Sequence, residues 1–361
     1  MEAFSFSSAA SAMDRILAAA AEEGASDIHI EPGPDAVVIR FRKDGLLHHA
    51  FTLPISMAAS LAVRCKVMGR MDVAETRIPQ DGSCPFGTSR EDMDLRLSTL
   101  PSIWGETVVI RLLTSSLPFI EDNALGMLPE QESLFLRCLH RQSGLILTAG
   151  PTGSGKTSTL YAALRLLHRP EISIISVEDP VEYRIPGITQ VSVNERAGLT
   201  FASGLRSLVR QDPDVIMIGE IRDRETAEIA VHAALTGHLV LSTIHTDSAS
   251  KTPLRLMDMG IPPYLLAASL SLIVSQRLAA IQCTACSGKG CSHCHNTGRA
   301  GRTGIFELLE INEEVKTLLH DKAAPSLLDE CRQKQHQPSM KDAALLRWKE
   351  GVITKEEASL F

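Results

Sequence analysis

Residues 145–160, LILTAGPTGSGKTSTL, constrain the fold of this chain more than any other segment. The apolar start, at residues 145–148, predicts a buried strand, and residues 158–168 have the apolar spacing of a helix. The glycine-rich loop between them fits the pattern G-x-x-x-x-G-K-S/T, in which backbone N–H groups close around phosphate oxygens. A loop that uses glycine only for its turn is disfavoured by the strand before it and the helix after it. The segment therefore predicts a nucleoside triphosphate site.

The predicted nucleotide-binding residues are consecutive: Gly150, Pro151, Thr152, Gly153, Ser154, Gly155, Lys156, Thr157 and Ser158. We expect Lys156 to place a positive charge at the β- and γ-phosphates and the Thr157 hydroxyl to bind Mg²⁺. The start of the following helix adds the positive end of its dipole. ATP and Mg²⁺ are thus the predicted cofactors.

Composition narrows the class of protein. The 361 residues are enough for two or more domains, and 44% of them are hydrophobic, as in an ordinary globular protein. The net charge of −7 argues against the clustered basic surface that nucleic acid needs, so no direct nucleic-acid binding is expected. No apolar run approaches the roughly 18 residues of a membrane span, and the N-terminus lacks the layout of a signal peptide. A cytoplasmic protein is predicted.

The pattern of the chain changes at several points, which we take as domain boundaries. Residues 1–114 are predicted to form a small α/β domain, and residues 115–118 a linker. Residues 119–280 alternate apolar strands with helices, which predicts a mostly parallel sheet covered on both faces. Residues 281–300 contain a cysteine cluster, and residues 301–361 are mostly helical. The predicted fold class is α/β.

Acidic residues follow two of the predicted strands. Glu178 and Glu220 stand at the carboxyl ends of different strands, where open parallel sheets place their active sites. ATP hydrolysis needs Mg²⁺ beside the phosphates and a carboxylate that orients water, and we expect Glu220 first and Glu178 second to supply these functions. Glycine (Gly219) occupies the place where a magnesium-binding strand usually carries aspartate, so Thr157 and Glu220 are the predicted magnesium ligands. The neighbouring Asp179 is equally well explained as a turn residue.

Two histidines, His238 and His245, bracket the predicted strand at residues 239–244. A single histidine is more often structural than functional. Two at the ends of one strand in a nucleotide-binding sheet raise a second hypothesis, in which they sense the γ-phosphate or contact another subunit. Both interpretations stay open from the sequence.

Further motifs extend over nearly the whole chain: SDIHIEP (26–32), GRMDVAE (69–75), RIPQDG (77–82), LRLST (95–99), GE (105–106), EDPVE (178–182), RQDPD (210–214), GEIRD (219–223) and GHLVLSTIHT (237–246). Together with the loop they resemble the hexameric ATPases that power type II secretion, type IV pilus extension and DNA-uptake pseudopili. The resemblance implies a RecA-like domain over residues 119–280, preceded by a PAS-like domain. About 25 residues precede the first motif, and this short form looks most like the competence pseudopilus ATPase of Gram-positive bacteria.

The resemblance also implies roles for arginines. Arg96 and Arg111 match the arginines of the N-terminal domain that reach the phosphates as the two domains close, with Arg77 a weaker third. Arg206 and Arg210 look like the arginines of the RecA-like domain that face the nucleotide or the subunit boundary. Guanidinium groups suit this task because they stabilise the charge that spreads over a transferring phosphoryl group.

The same resemblance implies a setting for the enzyme. Such proteins assemble as rings, here a predicted hexamer, and work at the inner face of the cell membrane beneath an integral platform protein. ATP hydrolysis would drive domain rotations that move pilin-like subunits out of the membrane. Two other classes stay open: a RecA-like nucleic-acid motor, against which the acidic net charge speaks, and a scaffold that binds ATP without turnover.

The cysteine cluster has the spacing C-x₂-C-x₄-C-x₂-C, contributed by Cys283, Cys286, Cys291 and Cys294. Paired cysteines at this spacing suit a tetrahedral zinc ion with four thiolates, and such a closed site is structural. His293 and His295 lie close enough in sequence to substitute for a cysteine or to support one. The other cysteines (Cys65, Cys84, Cys138 and Cys331) are scattered, which fits buried thiols better than a disulfide framework.

Overall fold

In the computed structural model, which describes residues 8–87, 92–114 and 125–361, the chain divides into two units. The N-terminal unit is Met1–Pro118 and the C-terminal unit is Phe119–Phe361. The predicted linker at residues 115–118 lies outside the described residues.

The N-terminal unit is an antiparallel sheet with two helices. Its elements are α1 (Ala9–Glu23), β1 (Asp27–Pro32), β2 (Ala36–Lys43), β3 (Leu46–Pro54), α2 (Ala58–Gly69), β4 (Gln80–Gly87), β5 (Asp92–Ser102) and β6 (Gly105–Thr114). In the described part of the unit, these strands lie in the order β3-β2-β1-β6-β5-β4. Alternate side chains of β1, such as Ile28 and Ile30, are buried, because successive residues of a strand point to opposite faces. The buried face of α1 joins the same core through Met13 and Leu17.

A buried ion pair fixes one loop of this unit. Lys66 in α2 is fully buried, and its Nζ lies 2.6 Å from a carboxylate oxygen of Glu106. The same Nζ donates a hydrogen bond of 2.7 Å to the carbonyl oxygen of Glu75. A buried charge is tolerated only when it is paired and hydrogen-bonded, so the loop before β4 is tied to the core at this point.

The C-terminal unit has a larger, mostly parallel sheet. Its elements up to the last parallel strand are α3 (Pro129–Leu139), β7 (Gly144–Ala149), α4 (Lys156–Leu167), β8 (Ile174–Glu178), β9 (Thr189–Ser192), α5 (Phe201–Leu208), β10 (Val215–Ile218), α6 (Arg224–Leu235), β11 (Leu239–Ile244), α7 (Thr252–Asp258), α8 (Pro263–Ser269) and β12 (Leu270–Gln282). The remaining elements are β13 (Arg299–Glu310), α9 (Glu313–His320), α10 (Pro325–Lys334), α11 (Met340–Lys349) and α12 (Lys355–Ala358). The α/β class with a helical C-terminal region, expected from the sequence, is confirmed.

Strand order in the C-terminal unit places β7 inside the sheet, between β12 and β11. Across its described residues the order is β13-β12-β7-β11-β10-β8-β9, with only the β12–β13 pair antiparallel. Every residue of β7, β8, β10 and β11 is buried. Continuous apolar strands are typical of a parallel sheet with helices on both faces.

Parallel register brings the functional strand ends to one edge. Ala149 at the end of β7 pairs with Ile244 at the end of β11, and Ile218 at the end of β10 pairs with Ser242. Glu178 is the last residue of β8 and pairs with Ser192 of β9, whereas the sequence placed this glutamate just after its strand. The phosphate-binding loop, Glu178 and Glu220 therefore follow strands that end at a common edge.

Across the described residues, none of the helices is long and apolar enough to cross a bilayer.

Candidate nucleotide site and tetracysteine cluster

Glycines shape the loop between β7 and α4. Gly150 has φ +149°, and a Cβ atom there would lie 2.4 Å from the carbonyl oxygen of Gln276 and 2.6 Å from Ser154 Oγ. Gly155 has φ +86°, and its Cβ would lie 3.1 Å from Gln276 Nε2. Only glycine fits a left-handed backbone in such close contact. The two glycines let the loop lie against β12.

Lys156 begins α4 and points into the loop. Its Nζ donates hydrogen bonds to the carbonyl oxygens of Gly150, at 2.8 Å, and Pro151, at 2.9 Å. Burial lowers the pKa of Lys156, and the negative charge of Glu220 acts in the opposite direction. The side chain is 7% exposed, so its charge sits in a confined, weakly screened position.

The loop has the donors that a triphosphate needs. Ser154 Oγ is buried and has no hydrogen-bond partner among the described residues. Thr157 and Ser158 lie in the first turn of α4, where backbone N–H groups are free of helical partners. Anions bind readily at such a helix start, so the residues present fit a phosphate group.

Glu220 interacts with an arginine and a histidine at the same end of the sheet as the loop. Its carboxylate forms an ion pair with Arg222 and lies 3.5 Å from His245 Nε2. The side chain is 15% exposed. The hydrogen bond with Glu220 raises the pKa of Arg222. The structure thus brings together Lys156, Glu220 and His245 from the predicted set, and adds Arg222.

Crowding between strands accounts for the glycine before Glu220. A Cβ atom at Gly219 would lie 3.3 Å from the Cα of Glu178 and 3.4 Å from the carbonyl oxygen of Val177. The Gly219 carbonyl in turn accepts a hydrogen bond of 2.8 Å from Thr243 Oγ1. An aspartate here would require the neighbouring backbone to shift by a few tenths of an ångström. Glu220 is the acidic residue of this strand end.

Glu178 has a different environment, because its carboxylate is buried and already hydrogen-bonded. It is 3% exposed and accepts hydrogen bonds from Tyr161 Oη, from Ser176 Oγ at 2.5 Å and from Gln190 Nε2 at 3.2 Å. A carboxylate with its oxygens occupied in this way is poorly placed to receive a proton from water.

Tyr161 extends this network to the next segment of chain. Its hydroxyl oxygen accepts hydrogen bonds of 3.2 Å from the backbone N–H groups of Glu182 and Tyr183. Burial and the Glu178 carboxylate together raise the pKa of Tyr161 far above its usual value. Sequence reasoning missed Tyr161, and its one available signal was a hydroxyl on the buried face of the helix that follows the loop.

His238 lies at the opposite edge of the sheet from His245. It precedes β11, and its Nδ1 lies 2.9 Å from the carbonyl oxygen of Ala233. Seven residues of strand separate two positions by roughly 20 Å, so the loop is not brought to this histidine. Its alternative role as an interface contact stays a prediction.

Arg206 and Arg210 lie on the surface near the end of α5. Arg206 is 57% exposed and pairs with Glu225, and Arg210 donates a hydrogen bond of 2.7 Å to the carbonyl oxygen of Arg206. Among the described residues, their hydrogen bonds and ion pairs are to Ser207, Glu225 and each other, and the role at a subunit boundary stays a prediction.

In the N-terminal unit, Arg96 and Arg111 face each other across neighbouring strands. They pair in the β5–β6 register, and Arg111 Nε lies 2.9 Å from a carboxylate oxygen of Asp27. Like charges directly opposite are destabilising in a sheet, and the Asp27 carboxylate offsets the charge of Arg111. Arg77 is 84% exposed and pairs with Glu75 at 2.6 Å.

The four predicted cysteines converge at the end of the β12–β13 pair. Their Sγ atoms all lie within 4.8 Å of one another, with separations of 4.0 Å (Cys283–Cys291), 3.8 Å (Cys286–Cys294) and 3.7 Å (Cys291–Cys294). Thiolates around a tetrahedral zinc ion with bonds of about 2.3 Å lie roughly 3.8 Å apart. The sulfur positions therefore fit such an ion. Among the described residues this group contains neither of the histidines considered as substitutes.

Backbone donors stabilise the thiolate form of these cysteines. The N–H of Gly290 donates to Cys286 Sγ at 3.2 Å, and those of Cys291 and Gly298 donate to Cys294 Sγ at the same distance. Burial raises the pKa of Cys294, but these donors and the neighbouring thiols outweigh it and lower the pKa to about 6. A thiolate is the form that binds metal.

The fold and the loop define a protein of the P-loop nucleotide-binding class, with a mostly parallel α/β sheet. The family described as "Type II/IV secretion system protein" matches residues 2–360, and this chain belongs to that family. The family resemblance expected from the sequence is therefore confirmed, whereas its competence subgroup stays a prediction.

Named relatives cover nearly the whole chain. Type II secretion system protein E of Pseudomonas aeruginosa is 43% identical, over 96% of this chain and 74% of its own length. Type IV pilus assembly ATPase PilB of the same species is 40% identical, over 96% of this chain and 66% of its own.

Solved structures are similar as well. The pilus retraction motor PilT, determined with bound ADP, superimposes with a TM-score of 0.69 at 30% identity, covering 95% of each chain. The ATPase DotB of Legionella pneumophila gives a TM-score of 0.78 at 21% identity, covering all of this chain and 97% of its own, which supports the fold alone.

The buried Tyr161–Glu178 pair predicts a pH dependence of stability. The folded state holds the Tyr161 proton more tightly than the unfolded chain, so the stabilisation from this group is complete below pH 10 and is lost above it. Above about pH 10, we expect the free energy of unfolding to fall less steeply with pH in Tyr161→Phe than in wild type. The two slopes should differ by up to ~1.4 kcal/mol per pH unit. At neutral pH this variant loses about 1–3 kcal/mol, because Glu178 loses a donor.

Urea unfolding at a series of pH values measures both effects. Tyr264→Phe is the matched control, because that side chain is 58% exposed. Parallel stability curves for wild type and Tyr161→Phe above pH 10 would contradict the raised pKa.

Proposed function

We propose that this protein is a Mg²⁺-dependent ATP hydrolase that acts as a motor for a type II secretion or type IV pilus-like machine. The observation that carries this proposal is the meeting of Lys156, Glu220, Arg222 and His245 at the carboxyl edge of a parallel sheet. Membership of the secretion family and similarity to named ATPases support it.

Each residue of the loop has a defined task in ATP binding. The backbone N–H groups of residues 152–155 surround the phosphates, and Lys156 carries its charge to the β- and γ-phosphates. The Thr157 hydroxyl and the Glu220 carboxylate would hold Mg²⁺, and the ion would neutralise charge on the phosphates. These residues bind and orient the triphosphate.

Water activation falls to Glu220. Its carboxylate is partly exposed and shares its edge with Lys156, whereas Glu178 is buried beneath three hydrogen-bond donors. Glu178 then acts by holding Tyr161 and, through it, the segment around Glu182. His245, within 3.5 Å of Glu220, keeps that carboxylate oriented.

The motor function requires more than one chain. A ring, predicted as a hexamer, places Arg206 and Arg210 at a boundary where their exposed guanidinium groups can meet a neighbouring subunit. The family resemblance assigns Arg96 and Arg111 of the N-terminal unit to the phosphates of bound ATP. Similarity to a type II secretion protein E and to a pilus assembly ATPase supports a place in such a machine. We propose an integral platform protein at the inner face of the membrane as its partner there.

The tetracysteine cluster holds a structural zinc ion. Four sulfurs at tetrahedral separations leave no ligand position open for substrate, so the ion supplies stability and no catalytic step. The cluster closes the end of the β12–β13 pair, between Gln282 and Arg299.

Hydrolysis tests the proposed site directly. We expect Lys156→Ala to lower ATP hydrolysis by about 100-fold or more, because charge stabilisation at the phosphates is lost, and Glu220→Gln to have an effect of similar size. Phosphate release from the full-length protein measures both. Lys316→Ala and Glu228→Gln change exposed ion pairs elsewhere and are expected to keep wild-type rates.

Two outcomes would replace this proposal. Unchanged hydrolysis in Lys156→Ala would place the active site elsewhere, and absence of wild-type turnover would favour a scaffold that only binds ATP. Strong stimulation by DNA that disappears at high salt would favour a nucleic-acid motor.

The closing arginine is tested in the assembled ring. We expect Arg96→Ala to lower the turnover number by up to about 1,000-fold, as for other arginines that contact a transferring phosphoryl group. Arg40→Ala is the control, since Arg40 lies in the same sheet and is paired with Glu31 at 2.7 Å. Wild-type turnover in ring-forming Arg96→Ala protein would show that Arg96 does not reach the phosphates.

Zinc content tests the cluster. Purified full-length protein is expected to contain one zinc per chain, and Cys294→Ser to lose it and to unfold at a lower temperature. Cys331→Ser removes an equally buried thiol outside the cluster and should retain the metal. Elemental analysis measures both, and metal-free wild-type protein of full thermal stability would refute the site.

A further inference from the structure

Strand β12 runs beside the phosphate-binding loop. Ser275 pairs with Ala149, the last residue of β7, so the next residue, Gln276, lies level with the first glycine of the loop. Gln276 is 1% exposed. Burying an amide is costly unless its polar atoms are hydrogen-bonded, so the Gln276 amide needs partners within the protein.

The Gln276 amide joins the two sides of the loop. Its Nε2 donates a hydrogen bond of 2.7 Å to the carbonyl oxygen of Ser154, inside the loop. Its Oε1 accepts a hydrogen bond of 2.8 Å from Thr159 Oγ1, one turn into α4. Thr159 is itself 1% exposed, so both bonds are shielded from water. One side chain therefore fixes the loop relative to the helix that follows it.

This contact also orients a backbone N–H group that would donate a hydrogen bond to a phosphate oxygen. In a trans peptide the C=O and the N–H of the same unit point in opposite directions. Holding the Ser154 carbonyl against Gln276 directs the N–H of Gly155 away from β12. The close approach of Gln276 Nε2 to Gly155, where a Cβ would lie at 3.1 Å, adds a steric reason for glycine at this position.

We propose that Gln276 is a positioning residue that preorganises the phosphate-binding loop for nucleotide, an inference that rests on the proposed nucleotide site. A loop already held in its binding conformation pays less conformational entropy when the ligand arrives. Gln276 acts through Ser154 and Gly155 and does not itself touch the phosphates. Its loss should therefore weaken binding more than it slows the chemical step.

Gln276→Glu tests this role most directly, because the substitution keeps the size of the side chain and removes the Nε2 donor. A carboxylate oxygen would then face the Ser154 carbonyl. We expect ATP and ADP to bind about 10-fold or more weakly, since a lost buried hydrogen bond with a repelled acceptor costs on the order of 1.4 kcal/mol or more. Titration of the full-length protein with a fluorescent ADP analogue measures the affinity, and a rise in KM larger than the fall in kcat is expected in the hydrolysis assay.

Gln131→Glu is a matched control. Gln131 is also 1% exposed, its Nε2 donates 2.8 Å to the Phe306 carbonyl and its Oε1 accepts 3.1 Å from the Leu128 N–H. The same exchange there should lower the melting temperature and leave nucleotide affinity at the wild-type value. Equal losses of affinity in both variants would attribute the effect to general destabilisation and overturn the proposal.

Thr159 supplies a second, milder test. Thr159→Ser keeps the hydroxyl that holds Gln276 Oε1 and is expected to bind nucleotide as wild type does, whereas Thr159→Val, similar in shape, should bind several-fold more weakly. Wild-type affinity in both Gln276→Glu and Thr159→Val would refute the role of Gln276. Failure of the wild-type chain to bind ADP would instead refute the proposed nucleotide site. The failure of that site can therefore be told apart from the failure of the role of Gln276.

Discussion

The parallel pairing of β7 with β11 is the constraint on which the rest of the site depends. Ala149 and Ile244 end these strands side by side, so the loop and His245 start from the same edge. The neighbouring pair β10–β11 adds Glu220 by the same register. A slip of one residue would exchange the two buried faces of a strand and draw a flanking polar residue, such as His238 or His245 beside β11, into the interior, which is unfavourable. The geometry of the site is thus fixed by apolar burial well away from the reacting groups.

Much of this could be predicted from sequence because the signals are local. The loop lies between its own strand and helix, and Glu220 follows its strand directly, so their place at the sheet edge follows from chain order. Gln276 could not be found in this way, since it meets Ser154 across 122 residues of chain. It lies in β12 between Ser275 and Arg277, and no periodicity marks one strand residue as the partner of a distant carbonyl. The hydrogen bond is a product of tertiary packing.

The two histidines show a different limit. His238 and His245 are close in sequence, which favoured a shared role beside the nucleotide. A strand, however, carries its two ends to opposite edges of the sheet, roughly 3.3 Å further with each residue. Only His245 approaches Glu220, at 3.5 Å. Strand geometry was available from the sequence and already separates the pair, whereas the interface role considered for His238 depends on a second chain.

Glu178 and Glu220 also diverge for a physical reason. Gly219 packs against the backbone of Glu178, which brings the two strands close and leaves Glu178 enclosed by Tyr161 and Ser176. Enclosure strengthens those hydrogen bonds, because the low dielectric constant of the protein interior weakens electrostatic attraction less than water does. Glu220, one residue beyond the glycine, escapes that crowding and keeps part of its surface exposed. A carboxylate that must exchange partners during turnover needs this freedom, whereas one that must hold the chain in place needs the opposite. Gly219, which stands where an aspartate is usual, therefore lies between two different environments. Glu178 is enclosed by hydrogen-bond donors, and Glu220 is partly exposed.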